Sequence, residues 1–299
     1  MSKIKIMCTS TGCIDYAPER YRQLGIDIIR IHILFEGKEY LEGLDLDPND
    51  FYKRLEALEN PKANLPSTAM PTTEALRDHY ERAISEGYDE VIIFALSSVL
   101  GGTYNKICLI GEEFKDRIKV NVVDTKISCF GEGLLAIKAA EWAQDGKSSD
   151  EILKEIAWMM KRQEFIGVDA KLDYLIYNGR LKGGKAFLGQ MLKICPVVHF
   201  TKEGEIVALE SVRTPKKALS RMCEIVKELI GDRSPEDYLL WHMYTGPDFI
   251  EDLRAIEEKH EIKTNHEAVI VSPVSGAHNG PWLAGYGLAF LRRDDEPLE

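Results

Sequence analysis

Val91-Ile92-Ile93-Phe94-Ala95-Leu96-Ser97-Ser98-Val99-Leu100-Gly101-Gly102-Thr103-Tyr104 passes from a continuous apolar run, through a polar turn, into a helix start. An apolar run without alternation suits a strand buried on both faces, as in a parallel sheet. The same pattern recurs outward from it. Ile4 to Cys8 runs into Thr9-Ser10-Thr11-Gly12, and Val120 to Val123 runs into Asp124-Thr125. Helices are expected between them. Asp47-Pro48 caps one with Phe51, Leu55 and Leu58 on a face, and Thr72 opens another with Leu76, Tyr80, Ala83 and Ile84. Further helices are expected from Thr103 and over Gly131 to Ala143. Ile26 to Phe35 reads as one strand with a hairpin return through Glu36-Gly37-Lys38. This β-α-β-α rhythm predicts a parallel sheet with flanking helices.

Gly146-Lys147-Ser148-Ser149-Asp150 is the clearest polar break. It divides the chain into an N-terminal α/β domain, 1–146, and a C-terminal mixed α/β domain, 147–299. In the second half, Ile194 to Phe200 and Glu205 to Glu210 flank Thr201-Lys202-Glu203-Gly204 as an antiparallel hairpin. Thr214-Pro215 caps an amphipathic helix that Gly231 ends. Strands are expected at Tyr238 to Met243 and Ala268 to Val271, with a helix from about Pro247 to Lys259.

Composition narrows the function. The 299 residues are 44% hydrophobic and 29% charged, near the globular average, which disfavours disorder. Thirty-eight Lys and Arg against 49 Asp and Glu leave a charge of −11, which argues against nucleic acid and anionic membranes as partners. No apolar run approaches the roughly 20 residues of a membrane span. The opening Met1-Ser2-Lys3-Ile4-Lys5-Ile6 does not read as a signal peptide. Six cysteines without a Cys-x-x-Cys pair read as reduced, mostly buried thiols of a cytoplasmic protein, with no metal site expected.

In an open parallel sheet, ligands sit beyond the carboxyl ends of the strands. Thr9 to Gly12, Ser97 to Tyr104 and Asp124-Thr125 fall there, and Ser67-Thr68-Ala69-Met70-Pro71-Thr72 precedes a helix. Hydroxyls and helix-start N–H groups suit a carboxylate or phosphate. Taken singly, each such turn is a cap; several at one sheet end point to a site. Ser272 to Pro281 holds His278 in a tight turn among small residues. Arg180 and Arg213 have forks that match anionic oxygens, although a lone arginine is most often a surface ion pair. Ser98 with His278 imitates a hydrolase pair, without an identifiable orienting acid. The Walker A, Gly-x-Gly-x-x-Gly, Gly-x-Ser-x-Gly and His-Glu-x-x-His patterns are missing.

Six motifs in order resemble the DegV family of bacterial fatty-acid-binding proteins. They are Thr68-Ala69-Met70-Pro71-Thr72, Ser97 through Tyr104, and Val123-Asp124-Thr125 followed by Gly131-Glu132-Gly133. Asn178-Gly179-Arg180-Leu181 follows. Next come Cys195-Pro196 with Gly204 and Arg213-Thr214-Pro215-Lys216-Lys217-Ala218, then Gly276-Ala277-His278-Asn279-Gly280-Pro281-Trp282. The resemblance implies a two-domain α/β protein with one long-chain fatty acid between the domains and no cofactor. It places the carboxylate on Thr68 and a serine of the Ser97-Ser98 pair, with His278 nearby, and the tail in an apolar tunnel. It further implies a carrier in phospholipid metabolism that presents the acid to a separate ATP-dependent kinase. Arg213 and His278 would steady the phosphate, and Arg180 would face the kinase. The chain departs from the family pattern at Thr9, Ala69, Gly101 and Trp282, the last expected to narrow the pocket mouth. The alternatives are a hydrolase or acyl-transfer enzyme using Ser98 and His278, and a regulatory module whose pocket Trp282 fills.

Overall fold

The computed structural model describes residues 2–59, 61–184, 194–293 and 296–297. The first half runs β1 (Ile4–Thr9), α1 (Glu19–Arg22), β2 (Asp27–Ile29), β3 (His32–Phe35), β4 (Lys38–Leu41), α2 (Pro48–Glu56), β5 (Ser67–Ala69) and α3 (Thr73–Ser85). It continues through β6 (Glu90–Ala95), α4 (Thr103–Gly111), β7 (Lys119–Asp124) and α5 (Phe130–Gln144). The apolar runs form a parallel sheet in the order β2-β1-β6-β7. The caps act as their chemistry dictates: Asp47 accepts from the Asp50 N–H at 3.0 Å, and Thr72 from the Ala75 N–H at 3.1 Å. The expected single strand over Ile26 to Phe35 is instead two. The chain leaves the parallel sheet after β2 and enters a second sheet, β4-β3-β5, at β3. Thr68 lies on β5 opposite Ile33, so the segment expected to be a helix-side loop begins as a strand.

The second half runs α6 (Ser149–Met160), β8 (Gln163–Asp169), α7 (Asp173–Tyr177), β9 (Cys195–Phe200), β10 (Ile206–Val212) and α8 (Pro215–Ile230). Then come β11 (Tyr238–Tyr244), α9 (Pro247–His260), β12 (Val269–Ile270), α10 (Pro273–Asn279) and β13 (Leu283–Phe290). These strands form a mixed sheet, β10-β9-β8-β13-β11-β12, in which only β11 and β12 pair in parallel. The hairpin of β9 and β10 forms where expected, Phe200 opposite Ile206. Sequence reading did not single out β8 and β13, the middle of this sheet. Both carry glycine, which weakens strand propensity, yet packing demands it. A Cβ on Gly285 would lie 2.5 Å from the Ile166 carbonyl oxygen, and one on Gly287 would lie 2.1 Å from the Trp241 ring.

Helix α5 ties the two sheets together. Ten of its fifteen residues are buried. One apolar cluster joins Cys8 and Phe94 of the parallel sheet to Phe130 and Leu134 of α5, and to Phe165, Val198 and Trp241 of the mixed sheet. Phe130 meets Trp241 edge-on with ring centroids 5.5 Å apart. Gly133 allows α5 to approach the turn after β1, since a Cβ there would lie 2.0 Å from the Gly12 carbonyl oxygen.

Candidate functional site

The carboxyl ends of β1 and β6 face the mixed sheet across a cavity of about 220 Å³. Its wall is mostly apolar: Ile31, Leu96, Leu100, Phe165, Val198, Phe200, Ile206, Val274 and Leu283. Helix α10 supplies one side. The stretch from Ser272 to Pro281, expected as a turn, is mostly this short helix. Ser272 caps it by accepting from the Ser275 N–H at 3.3 Å, and Pro273 takes the first position. The helix carries Ser275 and His278 to the cavity.

His278 Nε2 lies 3.1 Å from Thr68 Oγ1 on β5, joining two elements 210 residues apart. Its Nδ1 is buried and without a hydrogen-bond partner among the described residues. Burial pushes the imidazole down to about 4, and the positive charge of Arg180 adds to this. His278 is therefore neutral at neutral pH. Arg180 lines the cavity beside it. Its guanidinium donates to the Asn178 carbonyl at 2.5 Å, and Asn178 Nδ2 donates to the Ala277 carbonyl at 3.2 Å. Gly179, at φ +68°, makes the turn that brings Arg180 back toward α10. Burial lowers the Arg180 pKa, as expected for a cation at the edge of an apolar space.

The structure thus gathers Thr68, Arg180 and His278. It does not bring Ser97, Ser98 or Arg213 to them. Ser97 is fully buried and its hydroxyl donates to the Gly204 carbonyl at 2.9 Å. Gly204 sits at φ +90° in the β9–β10 turn, where a Cβ would strike Ser97 Oγ. Ser97 is therefore a clasp between the two sheets. Ser98 turns to Asp124, its N–H donating at 3.0 Å and its hydroxyl bonding the same carboxylate. No Ser98–His278 pair forms. Arg213 is exposed beyond β10, outside the cavity. Trp282 does not narrow the mouth. Its Nε1 donates to Glu56 at 3.3 Å, and the Lys171 ammonium sits 3.3 Å from its ring centroid. Ala69 and Gly101, two departures from the family pattern, do line the cavity.

Sequence reasoning missed Ser128 and Cys129, which line the cavity at the start of α5. It weighted Asp124-Thr125 instead, but Asp124 is held by Ser98 and by the Lys126 ammonium at 2.6 Å. Cys129 stands at φ +61° and ψ −155°, which a sequence pattern does not announce for a cysteine. Behind the wall lies an acid. Glu132 accepts from Thr11, a lining residue, at 2.7 Å, and from Thr9. Burial raises its carboxyl to about 8. Glu42, near the start of α10, accepts from the Val274 N–H at 2.7 Å and Tyr16 at 2.6 Å, and burial raises it to about 7. Among the described residues no cluster of ligating side chains could hold a metal, and no helix is long and apolar enough to cross a membrane.

The model of the DegV family, described as "Uncharacterised protein, DegV family", matches residues 3–291. A DegV domain-containing protein of Listeria innocua is 32% identical over 95% of this chain and 97% of its own. A protein of Thermotoga maritima named a fatty acid-binding protein is 30% identical over 97% of this chain and 99% of its own. The crystal structure of a fatty acid binding DegV family protein from Streptococcus agalactiae superposes with a TM-score of 0.86 at 30% identity. It covers 98% of this chain and 100% of the other.

Proposed function

We propose that this chain, which belongs to the DegV family, binds one long-chain fatty acid in the cavity between its two sheets. The observation that carries this reading is a mostly apolar cavity with Thr68, His278 and Arg180 together on its wall. Relatives described as fatty acid binding support it. The tail gains about 0.8 kcal/mol per buried CH₂ and provides most of the affinity. The carboxylate needs donors, since an unpaired buried anion costs several kcal/mol. Thr68 supplies a hydroxyl and Arg180 a nearby cation. Helix α4 opens on the cavity at Gly102-Thr103 with no side chain capping its start, so its dipole favours an anion there. A carboxylate beside His278 raises its pKa, so binding takes up a proton and strengthens as pH falls from 7 toward 5.

The protein acts as a cytoplasmic carrier for phospholipid metabolism, and it presents the carboxylate to a separate ATP-dependent kinase that forms the acyl phosphate. Arg180 reaches from the cavity toward that partner, and exposed Arg213 belongs to the same contact. We place the boundary between the two domains at Gly146. The test is titration with hexadecanoate, followed by incubation of the loaded protein with ATP and a fatty acid kinase. Saturable 1:1 binding and kinase-dependent acyl phosphate are expected. No saturable binding overturns the carrier, and binding without phosphorylation overturns the kinase partnership.

A further inference from the structure

A second polar patch interrupts the apolar wall, formed by Thr11, Ser128 and Ser275, with Cys129 beside it. All four are buried. The Thr11 hydroxyl donates to Glu132 at 2.7 Å. The Ser128 and Ser275 hydroxyls lie 3.2 Å apart and share one hydrogen bond, which engages one of their two protons. A hydroxyl has one proton and two lone pairs. The serine pair therefore offers the cavity a proton and lone pairs together. A carboxylate, which only accepts, can use the proton and leaves the lone pairs unmatched. An alkyl chain leaves both unmatched, at the cost of buried polar groups without full pairing. A ligand hydroxyl can use both.

The patch is also close to the proposed carboxylate end. Ser275 and His278 are three residues apart on α10, and such residues share a helix face with Cβ atoms roughly 5–6 Å apart. We infer that the preferred ligand carries a hydroxyl two carbons from its carboxyl: the cavity selects a 3-hydroxy fatty acid over the plain acid of equal length. This rests on the fatty-acid reading above. The carboxylate takes Thr68 and His278, and the 3-hydroxyl pairs with Ser128 and Ser275 one helical turn away, donating to one hydroxyl oxygen and accepting from the other.

The test compares hexadecanoate, 3-hydroxyhexadecanoate and 16-hydroxyhexadecanoate by calorimetric titration of the full chain. One neutral hydrogen bond corresponds to a preference of about three- to tenfold. The 3-hydroxy acid should bind tighter than hexadecanoate by that factor, and the 16-hydroxy acid should not. In Ser128→Ala and Ser275→Ala, the ratio of the two affinities on the same protein should fall toward one. Taking the ratio cancels any general loosening, and the wild-type comparison stands if a variant does not fold. Equal or weaker binding of the 3-hydroxy acid overturns the inference alone, as does a preference that persists in both variants. Binding of none of the three acids overturns the carrier reading and this inference with it.

Discussion

Replacing Thr68 by Val removes one hydroxyl and keeps a β-branched side chain of similar size, which suits the β5 position opposite Ile33. The sheet should therefore survive. What is lost is the group 3.1 Å from His278 Nε2, which also supplies a hydrogen bond to the proposed carboxylate. A hydrogen bond to a charged group contributes about 1.5–3 kcal/mol, and every 1.4 kcal/mol is tenfold in affinity. Thr68→Val should thus weaken hexadecanoate binding by about 10- to 100-fold. The methyl ester of the same acid bears no charge and should lose about fivefold or less. The assay is displacement of a fluorescent fatty acid by the acid and by the ester, on both proteins. The tail contribution is common to all four measurements and cancels. A loss for the acid of less than twofold would refute the placement of the carboxylate, and so would equal losses for acid and ester.

Glu132→Gln tests the buried acid behind Thr11. The folded carboxyl titrates at about 8 against an ordinary 4.5, so the folded state holds a proton that the unfolded state has lost between those values. Stability must fall as pH rises through that window, by up to about 5 kcal/mol. Urea unfolding at pH 6 and pH 9 should show the variant losing about 2–3 kcal/mol less than wild type; equal losses would contradict the assignment. His278 has the opposite sign. Its folded pKa of about 4 lies below the ordinary 6.5, so it withdraws stability as pH falls from 6.5 toward 4, and His278→Gln should flatten that limb in thermal melts. Ser97→Ala removes the donor to the Gly204 carbonyl and should cost about 1–2 kcal/mol by denaturant titration, while the affinity ratio of acid to ester stays as in wild type. A change in that ratio would return Ser97 to the carboxylate site.

The division between what the sequence disclosed and what it hid has a physical basis. Apolar runs and helix caps are local, so the parallel sheet, the β9–β10 hairpin and the caps at Asp47, Thr72 and Thr214 were legible. β8 and β13 were not, because Gly167, Gly285 and Gly287 answer to neighbours across the sheet rather than to strand propensity. At the cavity, Arg180 and His278 stood out as polar residues in unusual settings and Thr68 through the family resemblance, and all three line the wall. The clasp at Ser97 was not legible, because a buried hydroxyl looks the same in sequence whether it serves a ligand or a clasp. Its partner, Gly204, lies 107 residues away. Ser128 and Cys129 reach the cavity through a left-handed backbone at Cys129. That conformation is seldom taken by a non-glycine residue, so no local pattern predicted it.

The central claim is that this cavity holds a fatty acid. Native mass spectrometry of the protein purified from cells, followed by extraction and mass analysis of what is released, addresses it directly. The expected spectrum shows one acyl ligand per chain, exchangeable for added hexadecanoate and depleted in Thr68→Val. A chain that is bare on purification and stays bare after incubation with long-chain acids would contradict it.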